Sequence, residues 1–282
     1  MNPPIDHSSP FARLMGPRTL WWLIGVTLIA TLIFRRAPII DIESARLFYD
    51  NGFYIAHDPF WRGVRRASIY LTIILIVLML VFWLARLFKP EGTRRVPFAK
   101  LGFPTLSLLI GPYVITNLIF KGQWGRPRPK HLESFGGDAT HVLPWDLSDQ
   151  CATNCSFISG ETSTAIWLMV FIPLLPLAWH RRALWAIAIY TILISILRIA
   201  FGGHFLSDMV FSVLINTMVI WWVWGLFFER KDTITVRAWA TETRAAGPFH
   251  RFGAPFRRTA HKITHTLKLA YSSVMDKVRQ KS

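Results

Sequence analysis

The chain has 282 residues and a formal net charge of +16; 52% of it is hydrophobic, 14% aromatic and only 17% charged. About a quarter charged is usual for a soluble domain, and 13 Trp with 21 Phe, grouped in blocks, exclude disorder and point to a polytopic membrane protein. The pI of about 10.6 does not argue for nucleic acid, because membrane proteins gather Lys and Arg in cytoplasmic loops for topological reasons.

Residues 1–18 read as a cytoplasmic N-terminal segment. The first apolar run, Thr19–Phe34, lies between Arg13 and Arg18 on one side and Arg35 and Arg36 on the other. No small-x-small cleavage site follows it, so it reads as a retained helix rather than a signal peptide. Ile39–Tyr54 mixes polar and aromatic residues and is expected to lie along the outer interface. Ser68–Phe88 is the clearest span, charged only at Arg86. Leu101–Phe120 follows, with a kink expected at Gly111-Pro112. Glu161–Trp179 contains Pro173 and Pro176, and Ala183–Phe201 carries a single charge, Arg198. Met209–Phe228 ends in Trp221, Trp222 and Trp224, which suits an interfacial aromatic belt. The expected fold is all-α, a bundle of six transmembrane helices over 19–228.

An even number of spans puts both termini on one side. The tail at 229–282 holds 12 Lys and Arg against 4 acids, and Lys89, Arg94, Arg95, Lys100, Arg181 and Arg182 fall in loops on the same side. The positive-inside rule therefore places the termini in the cytoplasm. Six arginines between Arg35 and Ala67 run against it. In the tail, Ile263, Leu267, Ala270, Val274 and Val278 recur at helical spacing among basic residues. Both an amphipathic helix on anionic headgroups and a solvated tail fit that pattern. Cys151 and Cys155 have no neighbouring His or further Cys at metal-ligand spacing; they are either a small disulfide ring facing an oxidising compartment or two free thiols.

Three polar clusters interrupt the apolar chain, all on the outer side of the six-span topology. They are Lys121–Pro129 with Arg126 and Arg128, Ser156–Ser163 with Ser159-Gly160-Glu161, and Arg198–Asp208 with Gly202-Gly203-His204. Together they have the parts of a phosphate site. Lys121, Arg128 and Arg198 supply cations, and Arg suits bidentate phosphate contact. Ser159-Gly160 opens a helix, where free N–H groups and the dipole favour an anion. His204 stands four residues before Asp208, close enough for the carboxylate to fix its tautomer. A His so held can attack phosphorus. A charge inside a span, as at Arg198, marks a functional site by default.

The order Lys121, Arg128-Pro129, Ser159-Gly160, Arg198, His204, Asp208 resembles the type 2 phosphatidic acid phosphatase (PAP2) superfamily of integral-membrane lipid phosphatases. The resemblance covers about Leu101–Phe228 and implies an outward-facing site without a metal or other cofactor. It implies a nucleophile at His204, an orienting Asp208, and phosphate-binding residues at Lys121, Arg128, Ser159, Gly160 and Arg198. Ser-Gly-Glu after Asn-Cys-Ser-Phe further resembles a bacterial subgroup that includes lipid A 4′-phosphatase-like members.

One position departs from the family. Its middle motif usually reads Ser-Gly-His, with that His as proton donor to the leaving group; here the third residue is Glu161. An unperturbed Glu is only about 0.2% protonated at pH 7. Burial and an approaching phosphate favour the proton, while Lys121, Arg128 and Arg198 disfavour it. An ionised Glu161 would favour a diphosphate with its better leaving group, or serve as a base toward water; a protonated one would permit a monoester. The expected function is hydrolysis of an anionic lipid, lipid A first, on the periplasmic leaflet of a bacterial inner membrane. Undecaprenyl diphosphate and phosphatidylglycerophosphate are the rival substrates. A phospholipid-binding protein without turnover and a lipid phosphotransferase are the rival functions.

Overall fold

The computed structural model describes residues 9–88 and 98–229. The expected tail helix and most of the basic loop before Lys100 lie outside the described residues. Prolines set the early boundaries, since proline at the first helical position has no N–H to leave unpaired. Ser9 caps α1 (Pro10–Leu14), and Pro17 opens α2 (Pro17–Arg36). Pro59 starts α5 (Pro59–Phe88), where the Asp58 carboxylate accepts from the N–H of Trp61 at 3.1 Å. This helix begins nine residues before the expected Ser68. Arg62, Arg65 and Arg66, read from the sequence as loop charges, lie on its first turns.

Between α2 and α5 run two short helices, α3 (Ile39–Arg46) and α4 (Tyr54–His57). The interfacial reading of this stretch holds only for one face. Ile39 and Leu47 are exposed, but Asp41 and Ala45 are fully buried. α6 (Phe98–Leu108) continues as a π-helix over Leu109–Phe120 and a last turn at Lys121–Gln123. The expected kink at Gly111-Pro112 is therefore a change of helical register. Pro112 has no N–H to donate, and Asn117 Nδ2 donates to its carbonyl at 2.6 Å. Gly111 is required because a Cβ there would lie 2.5 Å from Asn216 Oδ1.

α7 (Gly160–Trp167) passes into a 3₁₀ turn over Leu168–Leu174. Seven residues of 3₁₀ rise further than seven of α-helix, so the 15 residues reach about 26 Å, a little short of a bilayer core of about 30 Å. α8 (His180–Ala200) and α9 (Leu206–Trp224) complete the bundle. Among the described residues five helices are long and apolar enough to cross a membrane, and Gly160–Leu174 is a sixth, shorter apolar helix. The six apolar segments expected from the sequence are thus present, five as long helices and one as a short one. The described residues contain no strand, only two isolated bridges. The chain is a multi-pass, all-helical membrane protein.

α9 is the central helix, 56% of its apolar window being buried against 11% for α2 and α5. The outer faces of those two helices expose Trp21, Trp22, Ile29, Ile74 and Leu80, as lipid contact requires. Trp224 does not join an interfacial belt: it is buried, edge-on to Phe11 at 5.1 Å and to Phe103 at 5.5 Å. Trp221 Nε1 donates to the Gly16 carbonyl at 2.9 Å. Residues 9–16 and 221–228 therefore meet at one end of the bundle. The three polar clusters meet at the other.

Gly125 shows how tightly the loop beyond α6 is held. Its φ is +70° and a Cβ would fall 1.5 Å from the Ser148 carbonyl oxygen, while the Ser148 N–H donates to Trp124. Gly125→Ala is expected to cost about 2 kcal/mol or more, read as a lowered Tm in detergent. An unchanged Tm would mean that the loop does not hold this geometry.

Candidate active site

The site is assembled at four helix ends. α6 delivers Lys121, α7 opens with Ser159 and Gly160, α8 closes with Arg198, and α9 opens beside His204. Ser159 is the N-cap of α7; its hydroxyl accepts from the N–H of Thr162 at 3.3 Å, and its carbonyl accepts from Ser163 Oγ at 2.7 Å and Ser212 Oγ at 3.0 Å. Asn216 Nδ2 donates to Ser163 Oγ at 2.9 Å, so polar contacts with α9 fix the start of α7. A Cβ on Gly160 would lie 3.3 Å from Lys121 Nζ, which brings the ammonium to the helix N-terminus. Gly203 allows a second close approach, since a Cβ there would lie 2.4 Å from Arg198 Nη2.

His204 is 1% exposed, and its Nδ1 lies 2.6 Å from the Ser156 carbonyl. A carbonyl can only accept, so Nδ1 carries the hydrogen and Nε2 keeps its lone pair. Burial holds the imidazole well below its ordinary value, to about 3; Arg198 and Lys121 push the same way and Asp208 opposes them. A neutral imidazole with a free Nε2 lone pair is what this arrangement delivers.

The expected direct bond from Asp208 to His204 is not made. Asp208 Oδ2 lies 3.7 Å from Nδ1 and accepts instead from Ser156 Oγ at 2.5 Å and from the N–H of Phe205 at 2.8 Å. The carboxylate orients the imidazole through the residue whose carbonyl receives it. The other oxygen, Oδ1, accepts from Arg126 Nη1 at 2.5 Å. Arg126 is fully buried, and its Nη2 reaches Asp41 at 2.8 Å. Asp41 also accepts from the Ser207 N–H at 2.8 Å and the Ser207 hydroxyl at 2.6 Å. Sequence reasoning missed both roles. In the sequence Arg126 is one cation of its cluster and Asp41 one acid in a mixed segment, marked only by its isolation between Ile40 and Ile42.

Glu161 is held as a carboxylate. Arg65 donates to it from Nε at 3.0 and 3.2 Å and from Nη2 at 2.8 Å, and Arg198 Nε stands 3.3 Å from Oε1. Arg128 directs Nε and Nη2 to the Asn154 carbonyl at 3.1 and 2.7 Å. Asn154 belongs to a ring closed by a Cys151–Cys155 disulfide, which decides between the two readings of those cysteines. The loop runs on against the first cluster, with the Cys155 N–H donating to the Lys121 carbonyl and the Ser156 N–H to that of Arg126.

Above these groups opens a cavity of about 380 Å³ whose wall includes His57, Arg65, Arg128, Lys130, Arg198 and Gly203. Burial lowers the pKa of Arg128, helped by Arg65; burial also lowers that of Lys130, helped by Arg128, Arg198 and Arg65. Crowded cations of this kind are relieved by an anion. Among the described residues no group of three or more His, Cys, Asp or Glu could hold a metal ion.

The PAP2 superfamily matches residues 101–232. A lipid A 4′-phosphatase of Francisella tularensis subsp. novicida is 32% identical over 214 residues, 73% of this chain and 95% of its own length. The chain belongs to the PAP2 superfamily. Lipid A 4′-phosphatases of Rhizobium leguminosarum and Rhizobium etli are 29% and 30% identical, covering 71% of this chain in each case and 90% and 81% of their own lengths. No solved structure matches. Within this PAP2 chain the Lys121, Ser159-Gly160, Arg198 and His204 clusters converge as the spacing predicts, with Arg128 anchored beside them.

Removing Arg126 would leave two buried carboxylates without their cation. Arg126→Met is expected to destabilise by roughly 3–5 kcal/mol, the range for breaking one side of a buried ion pair, while Asp41→Asn keeps one charged pair and costs less. Equal and small losses of Tm for the two would show that the pair is not buried as described.

Proposed function

We propose that this membrane phosphatase removes a phosphate from lipid A, at the 4′ position that its relatives' names specify, through a phosphohistidine on His204. The observation that carries the reading is the neutral, buried imidazole with Nδ1 committed to Ser156, directly after Gly203, which lines the cavity together with Arg65, Arg128, Lys130 and Arg198. The Nε2 lone pair attacks phosphorus, the P–O bond to the sugar breaks, and the leaving alkoxide takes a proton from solvent water, which the second step returns when the attacking water gives up its own. Water then attacks the phosphohistidine, releasing inorganic phosphate and restoring the imidazole. Lys121, Arg128, Arg198 and the N–H groups at Ser159-Gly160 hold the phosphoryl oxygens as charge develops. Asp208 fixes the nucleophile through Ser156. A carboxylate at Glu161 suits a base toward water in the second step better than a donor in the first.

Chemistry at Glu161 alone leans to a diphosphate; the choice of lipid A rests on relatives that share most of their length with this chain. The inner membrane, with the site on the periplasmic side and the termini in the cytoplasm, is supported by the site lying at the bundle end opposite residues 9–16 and 221–228 and by the basic tail. The substrate is then an anionic lipid that enters from the surrounding bilayer.

Lipid A from a Gram-negative host expressing the chain is expected to lose one phosphate in its mass spectrum, with fragmentation locating the loss at 4′. His204→Ala should abolish that loss while the protein stays in the membrane. An unchanged spectrum with the intact protein present would overturn the lipid A reading and turn attention to undecaprenyl diphosphate. A nucleophile held neutral down to about pH 3 also fixes a sign. Protonation would remove its lone pair, so kcat/KM should not fall along an ordinary imidazole titration near pH 6.5 as the medium is acidified. A fall centred there that tracks His204 would contradict its burial.

A further inference from the structure

The Arg65–Glu161 pair joins the second long helix to the start of α7, and nothing in the three clusters anticipates it. Arg65 stands near the beginning of α5 because Pro59 starts that helix early, and its guanidinium carbon lies 5.6 Å above the Phe201 ring. Nε and Nη2 are taken by Glu161, which leaves Nη1 outside that pair. Arg65 lines the same cavity as Arg128, Lys130 and Arg198. One carboxylate thus sits between two guanidiniums, those of Arg65 and Arg198.

We infer that Arg65 is a further phosphate-contacting residue of this site, and that Glu161 is the positioning residue that aims it. The inference rests on the phosphatase reading and extends it. The physical case begins with repulsion. Arg65, Arg128, Lys130 and Arg198 crowd one cavity wall, and two guanidiniums sharing a wall separate unless an anion holds them. Glu161 is that anion before substrate arrives, and its two oxygens fit the planar fork of Arg65 in a way a His could not. A phosphate entering between Arg65, Arg128 and Arg198 meets donors already fixed in direction, so little is lost in ordering them. The same reading explains why an arginine-rich stretch sits on the outer side against the positive-inside rule: Arg65 is kept there by the site.

The alternative is a staple that merely ties α5 to α7. A staple affects Tm and leaves anion affinity alone, so affinity decides. The full chain in detergent is titrated with inorganic phosphate, followed by the rise in Tm and by competitive inhibition of a soluble aryl phosphate ester. Arg65→Met is expected to weaken phosphate binding about tenfold, Glu161→Gln by a similar factor, and the double variant by no more than the larger single effect, since both remove one unit. Arg65→Lys should recover part of the affinity, having the charge without the fork, and serves if Arg65→Met does not fold. A lowered Tm with unchanged phosphate affinity in both Arg65 variants would reduce the pair to a staple. Unchanged phosphate affinity in Glu161→Gln would remove its positioning role and leave it only the handling of protons. Wild-type protein that binds phosphate with these dependences but hydrolyses no lipid would leave the inference standing and sink the lipid A reading instead.

Discussion

Arg126 lies fully buried between Asp41 and Asp208, and the catalytic end of the bundle is organised around it. The three residues come from distant stretches: Asp41 from the short helix α3, Arg126 from the loop beyond α6, and Asp208 from the first turn of α9. Two carboxylates around one guanidinium are costly to take out of water, and they are tolerated because nearly every lone pair is used. Asp41 serves Arg126 and Ser207; Asp208 serves Arg126, Ser156 and Phe205. Through Ser156 the same network reaches Nδ1 of His204. The direction of the imidazole is set by a connected chain of hydrogen bonds rather than by one contact.

That chain also explains which parts of the molecule the sequence disclosed. The six apolar segments were visible because a lipid-facing helix must be apolar along its length, and the three clusters because charged residues at span ends stand out. The convergence of Lys121, Gly160, Arg198 and His204 followed from topology alone. Helix starts were less visible. Arg62, Arg65 and Arg66 looked like a loop, whereas Pro59 and the capping Asp58 had already begun the helix. Asp41 was hidden because a buried acid is recognised by its partner, and the partner lies 85 residues away. Trp224 was misread for the opposite reason: an aromatic near a span end suits both an interfacial belt and a core, and its neighbours Phe11 and Phe103 come from other helices.

The exchange of the family's His for Glu161 shows how one position can be chemically rewritten without dismantling its site. An imidazole there would add to the local positive charge. A carboxylate subtracts from it, and the structure responds by recruiting a guanidinium from a helix that otherwise faces lipid. The field at the phosphate stays cationic while its sources are redistributed. Such a substitution is not a conservative change: it puts an ion pair where a single side chain would stand.

The ring closed by Cys151 and Cys155 carries the Asn154 carbonyl that receives Arg128. Disulfides persist where thiols are kept oxidised, so the geometry of a phosphate-binding cation is set by the chemistry of the compartment the loop faces. A chain still on the reducing side of the membrane has every residue of the site yet lacks the covalent link that orients Arg128. On the proposed reading, with this loop on the periplasmic side, export and loop oxidation precede competence to bind phosphate, and the site is completed only on the side where its substrate would be presented.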